Sequence, residues 1–67
     1  SNSLTLIKID ELISKLEVSN GRQAEALQLR YFSQKSNKEI ARLLGISLRT
    51  VENDLRFAKA FLKTQLH

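Results

Sequence analysis

The sequence predicts an all-α fold, and three observations lead to that prediction. Apolar residues recur every three or four positions along most of the 67 residues, which is the spacing of an amphipathic helix. There is no proline and there are only two glycines, so few positions interrupt a helix. There is no cysteine, which rules out disulfides and thiolate metal sites, and a segment of this length forms at most one domain.

The first predicted helix starts near Thr5 and fades by Val18. We assign residues 1–3 to an expression remnant or a disordered end, and residues 4–67 to the domain itself. The inward stripe of this helix consists of Leu6, Ile9, Leu12, Ile13 and Leu16.

The second predicted helix follows the break at Ser19-Asn20-Gly21. Asn20 is expected to cap it by accepting a hydrogen bond from an exposed backbone N–H, and Gln23 would complete a variant of the capping box. Its apolar stripe and flank consist of Ala24, Leu27, Tyr31, Leu29 and Phe32.

A third, short helix is predicted after Ser36. Ser36 and Glu39 have the spacing of a capping box, and Gly45 is placed to end the helix because glycine readily adopts the left-handed conformation. The apolar residues that this helix carries are Ile40, Ala41, Leu43 and Leu44.

The fourth predicted helix is capped by Ser47 and extends from Leu48 to about Leu66. Nothing in that stretch breaks the helical pattern. Its inward stripe consists of Leu48, Val51, Leu55, Ala58 and Leu62, with Phe57 and Phe61 beside it to seal the far end.

Residues 39–51 have the features of a helix-turn-helix. Ala41 supplies the small residue where two helices cross, Gly45 the sharp turn, and Val51 the apolar residue that folds back onto the first helix. Ile46 would plug the turn. The predicted fold is therefore a compact four-helix domain that contains a helix-turn-helix.

The net charge of +4 is confined to one half of the chain. Residues 1–34 contain four basic and four acidic side chains, whereas residues 35–67 contain seven basic and three acidic ones. A one-sided basic surface suits a polyanion such as double-stranded DNA, because contacts to phosphates release condensed counterions. The alternative is a solvated basic face that only aids solubility.

The face of the fourth helix opposite its leucines carries the candidate base-contacting residues. In a helix-turn-helix the second helix enters the major groove with its first turns nearest the bases. Arginine suits guanine, asparagine suits adenine, and glutamate can accept from cytosine N4. The candidates are Arg49, Thr50, Glu52, Asn53 and Arg56.

Phosphate contacts are expected mainly from the start of the third helix. Hydroxyl, amide and ammonium donors lie there beside free backbone N–H groups and the positive end of a helix dipole. The candidates are Ser36, Asn37 and Lys38, with Lys59 added from the fourth helix.

No catalytic, metal or cofactor site is predicted, and neither is a small-molecule ligand. The single histidine, His67, is at the chain end, and the acidic residues are expected to lie singly on helical surfaces. No apolar run is long enough to span a bilayer and no signal peptide begins the chain, so a membrane role is not expected. The sequence thus predicts a binding module and not an enzyme.

Residues 4–66 resemble the C-terminal region-four domain of a bacterial sigma factor of the extracytoplasmic-function (ECF) type. The LuxR/GerE class of regulators shares the block 36–41 and Thr50-Val51, and stays an alternative. One departure from the sigma pattern is Ser33-Gln34-Lys35, which lacks the usual glycines. The resemblance is carried by Arg22-Gln23-Ala24, Leu29-Arg30-Tyr31-Phe32, Ser36-Asn37-Lys38-Glu39-Ile40-Ala41, Leu44-Gly45-Ile46-Ser47, Thr50-Val51-Glu52 and Arg56-Phe57-Ala58-Lys59-Ala60-Phe61-Leu62.

This resemblance implies a bacterial, cytoplasmic transcription protein that recognises the upstream (−35) promoter element. It also implies binding of the RNA polymerase β flap in an apolar cleft, and of an anti-sigma factor. A second hypothesis makes these protein contacts the principal role. The cleft candidates are Leu12, Leu16, Leu27, Tyr31 and Phe32.

Overall fold

The computed structural model describes residues 2–65, with side-chain surroundings given from Ile7 onward, and this part of the chain is helical with no strand. The all-α prediction is confirmed, although the first helix begins at Asn2, earlier than the expected Thr5. Ser1, Leu66, His67 and the side chain of Leu6 lie outside the described residues. The four helices are α1 (Asn2–Ser19), α2 (Gly21–Tyr31), α3 (Asn37–Leu44) and α4 (Leu48–Gln65).

The core lies between α2 and α4, each of which packs against the other three helices. This arrangement buries one stripe of every helix, and α2 and α3, with 11 and 8 residues, are too short to be stable alone. Half-buried Ile46, Phe61 and Leu62 pack against the core as predicted. The buried apolar residues are Leu12, Ile13, Leu16, Ala24, Ala26, Leu27, Ile40, Val51, Leu55 and Ala58.

Three residues predicted to face inward or seal the core are exposed instead. Leu48 is 39% exposed because it is the first residue of α4 and lies at the edge of the core. Tyr31 ends α2 and is half exposed for the same reason. Phe57 lies six residues after Val51, which turns it away from the buried stripe, and it is also half exposed. For these positions the inward prediction was wrong.

The predicted side-chain cap of α2 is wrong as well. Asn20 makes no capping hydrogen bond, and its Nδ2 donates to the Ser19 hydroxyl at 3.1 Å. Gln23 does not return to the start of the helix, because its Nε2 donates to Asp54 at 3.1 Å. The Gln23 side chain therefore bonds a carboxylate on another helix, and Asn20 bonds its own neighbour.

The loop between α2 and α3 turns at Gln34, which has a φ of 54°. That is the left-handed conformation, which side chains with a Cβ adopt at a cost. Backbone hydrogen bonds hold it there: the Ser33 N–H donates to the Gln28 carbonyl and the Lys35 N–H to the Leu29 carbonyl. Gln34 thus occupies a conformation that favours glycine, in the segment that lacks the glycines of the sigma pattern.

Candidate nucleic-acid interface

Reciprocal hydrogen bonds between Ser36 and Glu39 fix the start of α3. The Ser36 hydroxyl accepts from the Glu39 N–H at 3.1 Å, and the Glu39 carboxylate accepts from the Ser36 N–H at 2.9 Å. These bonds hold the pKa of Glu39 below its ordinary value, chiefly through the Ser36 backbone N–H and then through the Ser36 side chain. The predicted capping box is confirmed.

The turn between α3 and α4 is built as the sequence predicts. Gly45 has a φ of 67° and closes α3 in the left-handed conformation. The backbone N–H groups of Gly45 and Ile46 both donate to the carbonyl of Ala41. Ser47 then starts α4, because its hydroxyl accepts from the Thr50 N–H at 3.1 Å. Local side-chain chemistry at these positions therefore sets the angle at which α4 leaves the turn.

The side of α4 that faces away from the core is open to solvent. Arg49, Asn53 and Arg56 are all exposed, three or four residues apart on one face. None of their side chains forms a hydrogen bond or an ion pair with another residue in the described part of the chain. On the opposite face of the helix Val51 and Leu55 are buried. The structure thus brings these three candidate base contacts together with their polar groups free.

The remaining two candidate base contacts have different surroundings. Thr50 is half-buried, and its hydroxyl lies 2.9 Å from that of Ser47 within the helix cap. Glu52 is exposed and lines a surface depression together with Lys38, at the point where α4 passes the start of α3.

The four candidate phosphate contacts lie along the junction of α3 and α4. The depression that Glu52 lines is also lined by Ser36, Asn37 and Lys38. A second depression adjoins it and is lined by Asn37 and Lys59. The Oδ1 atom of Asn37 is buried and has no hydrogen-bond partner among the described residues. These candidates thus share one side of the domain with α4.

Asp54 is a buried residue of α4, behind the exposed candidate base contacts, that the sequence did not predict. It was expected on a surface with the other acidic residues, but it is 3% exposed. Arg22 donates to it from Nε at 2.7 Å and from Nη2 at 3.1 Å, and Gln23 adds a third bond. The hydrogen bond and charge of Asp54 raise the pKa of Arg22. The available signal was its spacing, since Asp54 lies between Val51 and Ala58 on the buried stripe.

An apolar groove lies on another side of the domain. Of the five cleft candidates, Leu27, Tyr31 and Phe32 line it, whereas Leu12 and Leu16 are buried in the core and do not. The groove residues are Ile9, Ile13, Leu27, Tyr31, Phe32, Lys59 and Leu62.

Two cations lie over the ring of Tyr31 at the edge of this groove. The Lys59 Nζ is 5.5 Å and the Arg30 guanidinium carbon 5.7 Å from the ring centre, within the range of cation–π attraction. Lys59 therefore borders both the groove and the depressions beside α4.

Neither a candidate metal site nor a candidate membrane span is found among the described residues. No group of three or more histidine, aspartate or glutamate side chains there has the proximity to hold a metal ion. None of the described helices combines the length and apolar character needed to cross a bilayer.

Comparison with protein families matches most of this chain. Residues 6–62 match the family described as Sigma-70, region 4, whose domains bind the −35 promoter element and contact RNA polymerase. Region 4 is a DNA-binding transcription domain and not a catalytic one. No curated protein and no solved structure matches the chain significantly. The match covers most of the sequence and includes the whole helix-turn-helix, so the chain belongs to the sigma-70 region 4 family.

Proposed function

We propose that this chain is the promoter-reading domain of an ECF-type sigma factor and recognises its −35 element in a sequence-specific manner. The observation that carries the proposal is the open face of α4, on which Arg49, Asn53 and Arg56 are exposed together and unpaired within the described residues. The first turns of such a helix meet base edges in the major groove. Arginine and asparagine are the side chains that bind guanine and adenine through two hydrogen bonds.

Contacts to the DNA backbone would come from the start of α3 and from Lys59. Ser36, Asn37 and Lys38 form one edge of the interface, and the fixed cap of α3 directs the free N–H groups of its first turn outward. Such contacts orient the domain on the duplex and carry no sequence information. The bacterial cytoplasm, where promoter DNA is found, is the location that this function requires.

The proposal is tested by fluorescence anisotropy with duplexes that contain the −35 element of the cognate promoter. Scrambled duplexes of the same composition serve as the control, and both are measured at two salt concentrations. We expect tighter binding to the promoter duplex and a loss of affinity with salt for both. Equal affinity for the two duplexes would contradict sequence-specific recognition.

The LuxR/GerE alternative makes a different prediction with the same material. It requires two copies of the domain on half-sites about one helical turn apart, so binding would depend on that spacing. A single −35 element bound by a monomer, measured by analytical ultracentrifugation with labelled DNA, favours the sigma assignment.

The apolar groove supports a second proposal, that the domain binds the flap of the RNA polymerase β subunit there. Tyr31 and Phe32 are half exposed on its wall, and Lys59 adds a positive charge to its edge. An anti-sigma factor would compete for the same surface. Chemical-shift mapping with a β-flap peptide should perturb Ile13, Leu27 and Tyr31, and shifts confined to residues 36–60 would contradict it.

A further inference from the structure

Leu48 is an apolar side chain at the point where α4 would enter a groove. It is the first residue of the helix, and 39% of its surface is exposed. It lines the depression between α4 and the start of α3, together with Lys38 and Glu52. An exposed leucine in the first turn of the second helix of a helix-turn-helix can pack against apolar atoms of the bases.

Glu52 lies one turn further along the same face of α4. Residues four apart on a helix are neighbours, and both side chains line the same depression. Arg30, Lys35 and Lys38 line it as well, yet Glu52 forms no ion pair with any residue that the structure describes. Because an unpaired carboxylate repels phosphate, Glu52 lowers the general affinity for DNA. A role in selecting bases would offset that loss of affinity.

The major-groove edges of the two pyrimidines fit these two side chains. Thymine presents its C5-methyl group, which packs against apolar atoms, and cytosine presents the N4 amine, which donates to a carboxylate. Guanine presents only the acceptors N7 and O6 in this part of its edge, and a carboxylate repels both.

We infer that Leu48 and Glu52 form a pyrimidine-reading pair within the DNA interface. Leu48 packs on a thymine methyl, and Glu52 accepts a hydrogen bond from the N4 amine of a nearby cytosine and excludes guanine from that position. The inference rests on the proposed function, because it assigns specificity to two residues of the same interface.

The thymine contact is tested by removing only the methyl group. Duplexes are selected from a randomised pool with the full chain, and each thymine of the enriched sequence is then replaced by uracil. At one thymine we expect about a fourfold loss of affinity, the effect of one buried methyl-sized group. Leu48→Ala should bind the thymine and uracil duplexes equally. The control Leu43→Ala, an exposed leucine on α3 outside the depression, should keep the uracil effect.

The cytosine contact is tested with Glu52→Gln, which removes the charge and keeps the size. We expect affinity for scrambled DNA to rise and discrimination between cytosine and guanine at one position to fall on the order of tenfold. The control Glu25→Gln makes the same charge change on an exposed residue of α2 and should leave the discrimination intact.

The outcomes separate the inference from the function on which it rests. Suppose that uracil does not change the affinity for the enriched sequence and that its cytosine preference survives Glu52→Gln. That result overturns the roles of Leu48 and Glu52 and remains compatible with promoter recognition. A pool that yields no enriched sequence overturns both. Circular dichroism melting of each variant verifies that the helices remain folded.

Discussion

Arg22 at the start of α2 donates two hydrogen bonds, at 2.7 and 3.1 Å, to Asp54 in the middle of α4. The two residues are 32 positions apart in sequence, and the pair ties the second helix to the helix that carries the candidate base contacts. Asp54 is buried, whereas the Arg22 side chain is half exposed. The pair also neutralises a carboxylate on the side of α4 opposite the exposed candidate base contacts.

The two halves of this pair should contribute unequally to stability. Arg22→Met leaves a buried carboxylate with Gln23 as its remaining partner, whereas Asp54→Asn leaves an arginine that water can solvate. Since an uncompensated buried charge is the costlier defect, we expect Arg22→Met to lower the urea midpoint more than Asp54→Asn does. Equal effects would contradict this account. The double variant should be more stable than Arg22→Met alone.

The strained loop conformation of Gln34 predicts a stabilising substitution. Gln34→Gly relieves the left-handed conformation at φ 54°, and the gain exceeds the added backbone entropy of glycine in the unfolded chain. We expect a net stabilisation of about 0.5–1 kcal/mol in urea unfolding. The control Gln34→Ala keeps the Cβ atom and should give no such gain.

Replacing Gly45 should lower the stability of the fold, the opposite of the effect expected at Gln34. Nothing lies within 4 Å of a Cβ atom added there, so the cost of Gly45→Ala comes from the left-handed backbone at φ 67° and not from a collision. That cost is about 1–2 kcal/mol, measurable by thermal unfolding. Gly21→Ala is the matched control, because Gly21 also has open space but begins α2 without a left-handed φ. It should be neutral or slightly stabilising.

The capping box should make the start of α3 sensitive to acid. Because folding lowers the pKa of Glu39, its contribution to stability is complete above the ordinary glutamate range and is lost as pH falls through the lowered value. An NMR titration of the Glu39 carboxyl should give a midpoint below that of free glutamate, with the Ser36 amide shift following it. Glu39→Gln should remove this acid transition from the Ser36 amide, and a transition that persisted would have another origin.

The two classes of DNA contact should separate in binding measurements. Arg49→Ala should cost about 1–3 kcal/mol on the cognate duplex and relax the preference at one base pair. Lys38→Ala should weaken binding to cognate and scrambled duplexes alike and reduce the salt slope by about one. Arg42→Ala, on an exposed residue of α3 outside the depressions beside α4, is a control for the loss of a positive charge. Loss of base preference in Lys38→Ala would contradict the division of roles.

The helix-turn-helix was predictable because its signals are local. Ser36 with Glu39, Gly45, and Ser47 each act within a few residues, so their chemistry can be read directly from the sequence. Asp54 was not predictable in this way, since its partner Arg22 lies on another helix and only the folded chain brings them together. The spacing alone places Asp54 on the buried stripe, where a carboxylate requires a partner. The sequence thus indicates that a partner exists, but not which residue it is.

The exposure of Leu48 and Tyr31, at the ends of α4 and α2, shows a second limit of sequence reasoning. Helical periodicity gives the direction in which a side chain points, but it does not give how far the neighbouring helices extend. Leu48 follows the apolar period and is still 39% exposed, because it lies at the very end of its helix. The residues at helix ends are thus the ones that periodicity describes least well.

The ammonium group of Lys59, over the ring of Tyr31, lies between the two proposed binding surfaces, the apolar groove and the depressions beside α4. A nucleic acid and a protein ligand that both draw on this one cation compete for the same charge. Thermodynamic linkage then requires each ligand to change the other's affinity by an equal factor. A ligand bound in the groove would in this way lower the affinity for promoter DNA with no movement of the protein backbone.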